Sequence, residues 1–147
     1  MTVAVTTDQR DMLINKIKLY IKWPISIFNS FDTDELHNLY TYINEGYTVH
    51  KAKVRGNTRS ITLRLPKAVT EELGLTYGDR FNLKGNTSRM VILEPYISGK
   101  LKLGTSNTIN FPALLAAKQL LKPADDTLIV VKDGRIFLKS FTYMQRY

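Results

Sequence analysis

Laid over itself with an offset of 46 residues, the chain matches Ser60, Thr62, Pro66, Leu75, Asp79 and Arg89 to Ser106, Thr108, Pro112, Leu121, Asp125 and Arg135 without a gap. Residue types agree as well: Leu63 with Ile109, Leu65 with Phe111, Leu83 with Ile129, Met90 with Ile136, and Ile92 with Leu138. A duplication constrains the fold more than any local propensity, because it implies a pseudo-symmetric arrangement of two similar units. The copies cover residues 50–94 and 98–141 and are joined by Pro95-Tyr96-Ile97-Ser98. A unit of about 45 residues buries too little apolar surface to be stable alone, so each copy needs a second one.

Within a copy the apolar residues recur at every second position. Lys51-Ala52-Lys53-Val54-Arg55 alternates and predicts a strand, with Gly56-Asn57 as its turn. Ile61, Leu63 and Leu65 alternate with Thr62 and Arg64, which predicts a strand with one buried face. Pro66 suits the first turn of a helix, Val69 and Leu73 share a face of it, and Gly74 stops it. Gly78-Asp79 turns the chain into Phe81-Asn82-Leu83, and Gly85-Asn86 turns it again into Met90–Leu93. In the second copy Asp133-Gly134, between Leu128–Val131 and Ile136–Leu138, is a strong hairpin signal. Each copy therefore reads as strand, strand, short helix, strand, strand.

The first 46 residues follow a different period. Leu13, Ile14, Ile17, Tyr20 and Ile21 recur at helical spacing and predict a helix over 7–23, capped by Thr7 or Asp8 and ended by Pro24. A second helix is expected from Asp32, where Asp32 and Glu35 have capping-box spacing. Leu36, Leu39, Tyr40 and Ile43 form its stripe, and Gly46 stands where a left-handed C-cap residue belongs. These stripes suit a small helical core, a face joining copies of the chain into a homo-oligomer, or a site for a protein partner. The fold class is thus α+β, with a helical segment over 1–46 and a tandem β domain over 47–147.

Charge divides the chain at the same place. The 147 residues carry a net charge of +8. Residues 1–50 hold four bases and six acids, whereas the remaining 97 hold 17 bases and seven acids. A basic module next to an acidic one points to a polyanionic partner for the former. The absence of cysteine excludes a disulfide framework, a thiolate metal site and a cysteine nucleophile. No apolar run approaches the roughly 20 residues that span a bilayer, and the N-terminus lacks a signal-peptide pattern, so a cytoplasmic protein with no membrane partner is expected. His37 and His50 sit in different segments, Glu71-Glu72 and Asp125-Asp126 diverge as neighbours, and no glycine-rich phosphate loop is present. Neither catalytic chemistry, a metal site nor a cofactor is expected.

The stretch from Ser60 through Leu65-Pro66, Leu73-Gly74-Leu75 and Gly78-Asp79 resembles the SpoVT–AbrB/MazE family of swapped-hairpin DNA-binding domains. The second copy, Ser106 through Asp125, resembles it less closely, with Gln119-Leu120-Leu121 in place of Leu-Gly-Leu and Ala124 in place of Gly78. The resemblance implies two hairpins interlocked into one barrel that presents basic side chains to double-stranded DNA. Because both copies lie on one chain, a single chain is expected to form the whole barrel; a strand-exchanged homodimer with four copies is the alternative. Arg55, eleven residues before Pro66, stands where AbrB-type members carry a DNA-contacting arginine. Thr62, Thr70 and Glu71 stand where the family carries other basic contacts, so the family's full contact set does not carry over. In the second copy the ungapped offset puts Leu101 at the place of Arg55, flanked by Lys100 and Lys102.

The residues expected to face DNA are Lys51, Lys53, Arg55, Arg59, Thr62, Arg64, Lys100, Lys102, Thr108 and Asn110, with Asn107 as a further polar contact. They favour a sequence-selective transcription regulator, a repressor of its own operon. Such a small duplicated regulator fits a phage or plasmid origin. The alternative is an antitoxin, or an inhibitor of a host enzyme such as one of nucleic-acid defence, acting through the helical N-terminal segment.

Overall fold

The computed structural model describes residues 2–56, 60–85, 90–112, 115 and 120–141, with the side chains of residues 2–8 left aside. The chain divides into two compact units, the first holding the N-terminal helices up to Val49 and the second the strands from His50 onward.

In the first unit α1 (Thr2–Lys18) packs on α3 (Thr33–Asn44), with the short α2 (Ile25–Asn29) between them in sequence. Helix α1 starts and stops earlier than the pattern over 7–23 predicts, and Thr7 and Asp8 lie inside it rather than at its cap. Past Lys18 the backbone tightens, with Tyr20 N and Ile21 N both donating to Ile17 O. That turn buries Ile21 and leaves Tyr20, expected on the apolar stripe, 65% exposed. Helix α3 begins as expected: Asp32 Oδ1 accepts from Glu35 N at 2.7 Å. Leu36 and Leu39 are buried, and Gly46 adopts φ +87 just past the end.

The five-residue α2 follows Pro24 and was not expected from the sequence. Its C-terminal carbonyls are gathered by Arg10, whose Nη2 donates to Phe28 O at 3.0 Å and to Phe31 O at 2.5 Å. A guanidinium supplies both hydrogen bonds and positive charge where a helix end lacks them. Trp23 stacks on the buried Phe28 with ring centroids 5.9 Å apart.

The second unit is a nearly closed, barrel-like sheet. Its strands are β1 (Thr48–Gly56), β2 (Ile61–Arg64), β3 (Arg80–Gly85), β4 (Val91–Pro95), β5 (Leu101–Lys102), β6 (Thr108–Phe111), β7 (Asp126–Lys132) and β8 (Arg135–Ser140). Helix α4 (Lys67–Leu73) links β2 to β3. The order around the sheet is β5-β3-β4-β8-β7-β1-β2-β6, and a bridge between Leu103 and Ile109 brings its two ends together. Each hairpin of one copy is thereby flanked by strands of the other. The β1–β2 hairpin lies between β7 and β6, and the β3–β4 hairpin between β5 and β8. Ile61, Leu63, Leu65, Phe81, Val91, Leu93, Ile109, Ile129, Ile136 and Leu138 fill the interior from both copies. The counterpart of α4 in the second copy falls largely on residues outside the description.

The register places a pseudo-twofold axis. Leu63 pairs with Ile109, its own counterpart in the other copy, and on the far wall Ile92 pairs with Phe137. It also corrects the ungapped alignment in two places. Val54 exchanges backbone bonds with Asp125 and Ala124 (2.9 and 2.8 Å), while Leu103 exchanges the equivalent pair with Asp79 and Gly78 (2.8 and 2.9 Å). The counterpart of Val54 is therefore Leu103, and that of Arg55 is Gly104 rather than Leu101. The second copy's first hairpin is three residues shorter. Likewise Leu83 pairs with Leu93 and Ile129 with Leu138, so Val91 and Leu93 correspond to Ile136 and Leu138. Met90 and Ile92 do not. The reason is loop length: Asp133-Gly134, both at positive φ, makes a two-residue turn, one residue tighter than its counterpart.

One departure between the copies leaves strain. Gly78 adopts φ +94, and its counterpart Ala124 is forced to φ +69. A Cβ in this region costs about 1–2 kcal/mol, partly offset by the entropy a glycine would lose. Ala124→Gly is expected to raise the thermal midpoint by about 2–4 °C, as follows from roughly 1 kcal/mol in a chain of this size. Calorimetry of the two proteins measures it, and a lowered midpoint would contradict the assignment.

Candidate nucleic-acid interface

Alternation decides which side chains leave the barrel. Ala52 and Val54 on β1, and Ile61 and Leu63 on β2, turn inward; so Lys51, Lys53 and Arg55 on β1, and Thr62 and Arg64 on β2, turn outward. On β6, Ile109 and Phe111 are buried, and Thr108 and Asn110 face out. On β5 and its flanks, Leu101 and Leu103 are buried while Lys100 and Lys102 are exposed. Nine of the ten expected residues therefore share the outer face of the β1-β2-β6-β5 wall. The tenth, Arg59, lies outside the described residues.

Their order across the wall follows from the register. Arg55 pairs with Thr62, and Thr62 with Asn110. Arg64 pairs with Thr108. One residue on from Val54–Leu63, Lys53 comes alongside Arg64; one residue on from Leu103–Ile109, Lys102 comes alongside Asn110. The outcome is two adjacent cross-strand rows, Arg55-Thr62-Asn110-Lys102 and Lys53-Arg64-Thr108. Asn107, offered as a further contact, sits in the β5–β6 turn at φ +61.

Among the described residues no carboxylate lies within ion-pairing distance of Lys51, Lys53, Arg55, Arg64, Lys100 or Lys102. Lys102 Nζ instead rests over the ring of the exposed Tyr77, 5.2 Å from its centroid. The far wall differs in kind. There Glu94 on β4 holds both Lys84 (3.3 Å) and Arg135 (3.0 Å). Like charges crowded on one face repel one another, and a polyanion laid along them relieves that repulsion.

His50, at the start of this wall on β1, adds no charge at neutral pH. Burial pushes its imidazole below the usual value, opposed by the charge of Glu72. Its Nε2 finds no hydrogen-bond partner among the described residues. No group of three or more His, Asp or Glu side chains that could hold a metal occurs among them either. No described helix is long and apolar enough to cross a membrane.

Sequence reasoning missed the correspondence of Arg55 with Gly104, because identities alone carry no signal for a shortened hairpin. It also missed the contrast between the two walls, which depends on Glu94 reaching two strands. Compared with known proteins, the chain matches no family model, no curated protein and no solved structure.

Proposed function

We propose that this chain is a sequence-selective DNA-binding transcription regulator, a cytoplasmic repressor of its own operon, and that its barrel is of the swapped-hairpin AbrB type. The observation that carries the reading is the wall of six cations without carboxylate partners among the described residues, interspersed with Thr62, Thr108 and Asn110. Lysine and arginine supply the phosphate contacts, while arginine, asparagine and threonine supply hydrogen bonds to base edges. The flanking of each copy's hairpin by strands of the other supports the barrel type.

A second reading rests on the helical unit, where Met12, Leu19, Tyr20 and Ile25 are about half exposed or more. Apolar side chains of this size on an acidic segment suit a protein partner or a second copy of the chain.

Binding of the full chain to duplex DNA from upstream of its own gene, measured across salt concentrations, tests the first reading. Phosphate contacts from the four lysines give an expected log–log slope of about −3.6. Absent binding at about 0.1 M salt, or binding indifferent to salt, overturns it and promotes the protein-partner reading.

A further inference from the structure

We infer that the barrel binds a non-palindromic DNA site in one orientation, with arginines of the first copy reading bases at one half-site and Asn110 of the second copy reading a different base at the other. This rests on the DNA-binding reading above and adds to it the kind of site recognised.

The basic wall is organised about the pseudo-twofold axis. That axis passes through the Leu63–Ile109 pair at the centre of the basic wall, so every outward residue has a defined counterpart across it. Lys51 and Lys53 correspond to Lys100 and Lys102, and Thr62 corresponds to Thr108. These positions are alike on both sides. The other two are not. Arg55 faces Gly104 across the axis, and Arg64 faces Asn110. Among the described residues, one half of the wall therefore carries four cations and the other two.

The residues kept alike are lysines, whose compact charge suits phosphate, and a threonine. The residues that differ are those with base-reading geometry. Arginine pairs bidentately with the O6 and N7 edge of guanine, asparagine with the N6 and N7 edge of adenine. A homodimer cannot make this distinction, because its two halves are identical and its preferred site mirrors their symmetry. A duplicated chain can. The departures at Arg55 and Arg64 are also the ones that fall where the shortened hairpin and the central strand pair meet the outer face.

Selection of binding sites from a random duplex pool by the full chain is the first arm of the test. The expected site is asymmetric, with a G·C pair at a position whose mate across the site centre is A·T. Asn110→Arg, at an exposed position, is expected to turn that A·T preference toward G·C and make the selected site more nearly symmetric. The second arm reads orientation directly. The chain has no cysteine, so Thr105→Cys on the exposed β5–β6 turn provides a unique attachment point for an iron chelate that cleaves nearby DNA. Cleavage confined to one side of the selected site, by about tenfold or more, supports the proposal; that ratio is within what one bidentate arginine supplies. A palindromic selected site, or equal cleavage on both sides, overturns it while leaving DNA binding intact. A pool from which nothing is enriched overturns the DNA-binding reading and this proposal together.

Discussion

Replacing Lys53, Arg55 and Arg64 together by alanine is expected to weaken binding to the preferred DNA site about 200-fold or more at 0.1 M salt while leaving the barrel folded. Each neutralised phosphate releases condensed counterion and contributes about −0.9 to the slope of log affinity against log salt. Losing the Lys53 phosphate contact removes about 0.9 from that slope, which is about eightfold at 0.1 M salt relative to 1 M, and losing the two base-reading arginines costs about 1–3 kcal/mol each on the preferred site, about 30-fold together at the lower bound. The fold should tolerate the change because Lys53, Arg55 and Arg64 are exposed, and surface substitutions of this kind are usually worth within about 0.5 kcal/mol each. Removing three like charges also lessens repulsion along the wall. The matched control is Lys84→Ala with Arg135→Ala on the far wall, where both cations are already held by Glu94. That double variant should keep its affinity within about twofold, since it removes no counterion-releasing contact. Fluorescence anisotropy over a salt series, with circular dichroism to verify folding, measures both. A folded triple variant with unchanged affinity and slope would make these strands solvated edges and nothing more.

The strands and their outward faces could be read from the sequence because a period of two, punctuated by glycine and asparagine, carries both pieces of information at once. Ile61-Thr62-Leu63-Arg64 specifies a strand and also which of its residues face solvent. The same is true of Asp133-Gly134, whose chemistry selects a two-residue turn. What was not readable depends on groups far apart in sequence. The ungapped offset that matches Pro66 with Pro112 also lays Arg55 on Leu101. Only the backbone bonds of Val54 to Asp125 and of Leu103 to Asp79 reveal the three-residue difference between the hairpins. Arg10 is a similar case. A base one turn from Leu13 and Ile14 reads as a solvated residue on an amphipathic helix, and its burial follows from the carbonyls that α2 brings to it. Helix α2 itself, Ile25-Ser-Ile-Phe-Asn29, is too short for a helical period to show. Tyr20 fits the helical stripe by spacing, but the chain has left the helix by the time it is reached.

Gly99→Ala is expected to cost at least about 3 kcal/mol and to disable the lysines of the second copy as well. Gly99 is buried directly after the stretch that joins the two copies, where its N–H donates to Tyr96 O at 3.0 Å and its carbonyl accepts from Arg80 Nη1 at 3.2 Å. A Cβ built on it would overlap the carbonyl carbon and oxygen of Phe81 and stand 2.7 Å from its nitrogen. Those atoms are backbone within β3 and cannot rotate aside as a side chain would. Relief requires prising β5 from β3, whose pairing runs through Arg80–Lys102 and Phe81–Leu101. The cost therefore lies at or above the upper end of ordinary overpacking, about 3 kcal/mol, against a total stability of roughly 5–15 kcal/mol. The thermal midpoint should fall by roughly 10 °C, at about 2–4 °C per kcal/mol for a chain of this length. Gly74→Ala separates this clash from a general intolerance of substitution. Gly74 has open space around the Cβ position but sits at φ +63, so only the left-handed penalty of about 1–2 kcal/mol applies. Because β5 carries Lys102 and follows directly on Lys100, displacing it should also weaken DNA binding at temperatures where Gly99→Ala remains folded. A midpoint lowered no further by Gly99→Ala than by Gly74→Ala would show that the joining stretch can move away from β3, and that the two ends of the sheet are held together without it.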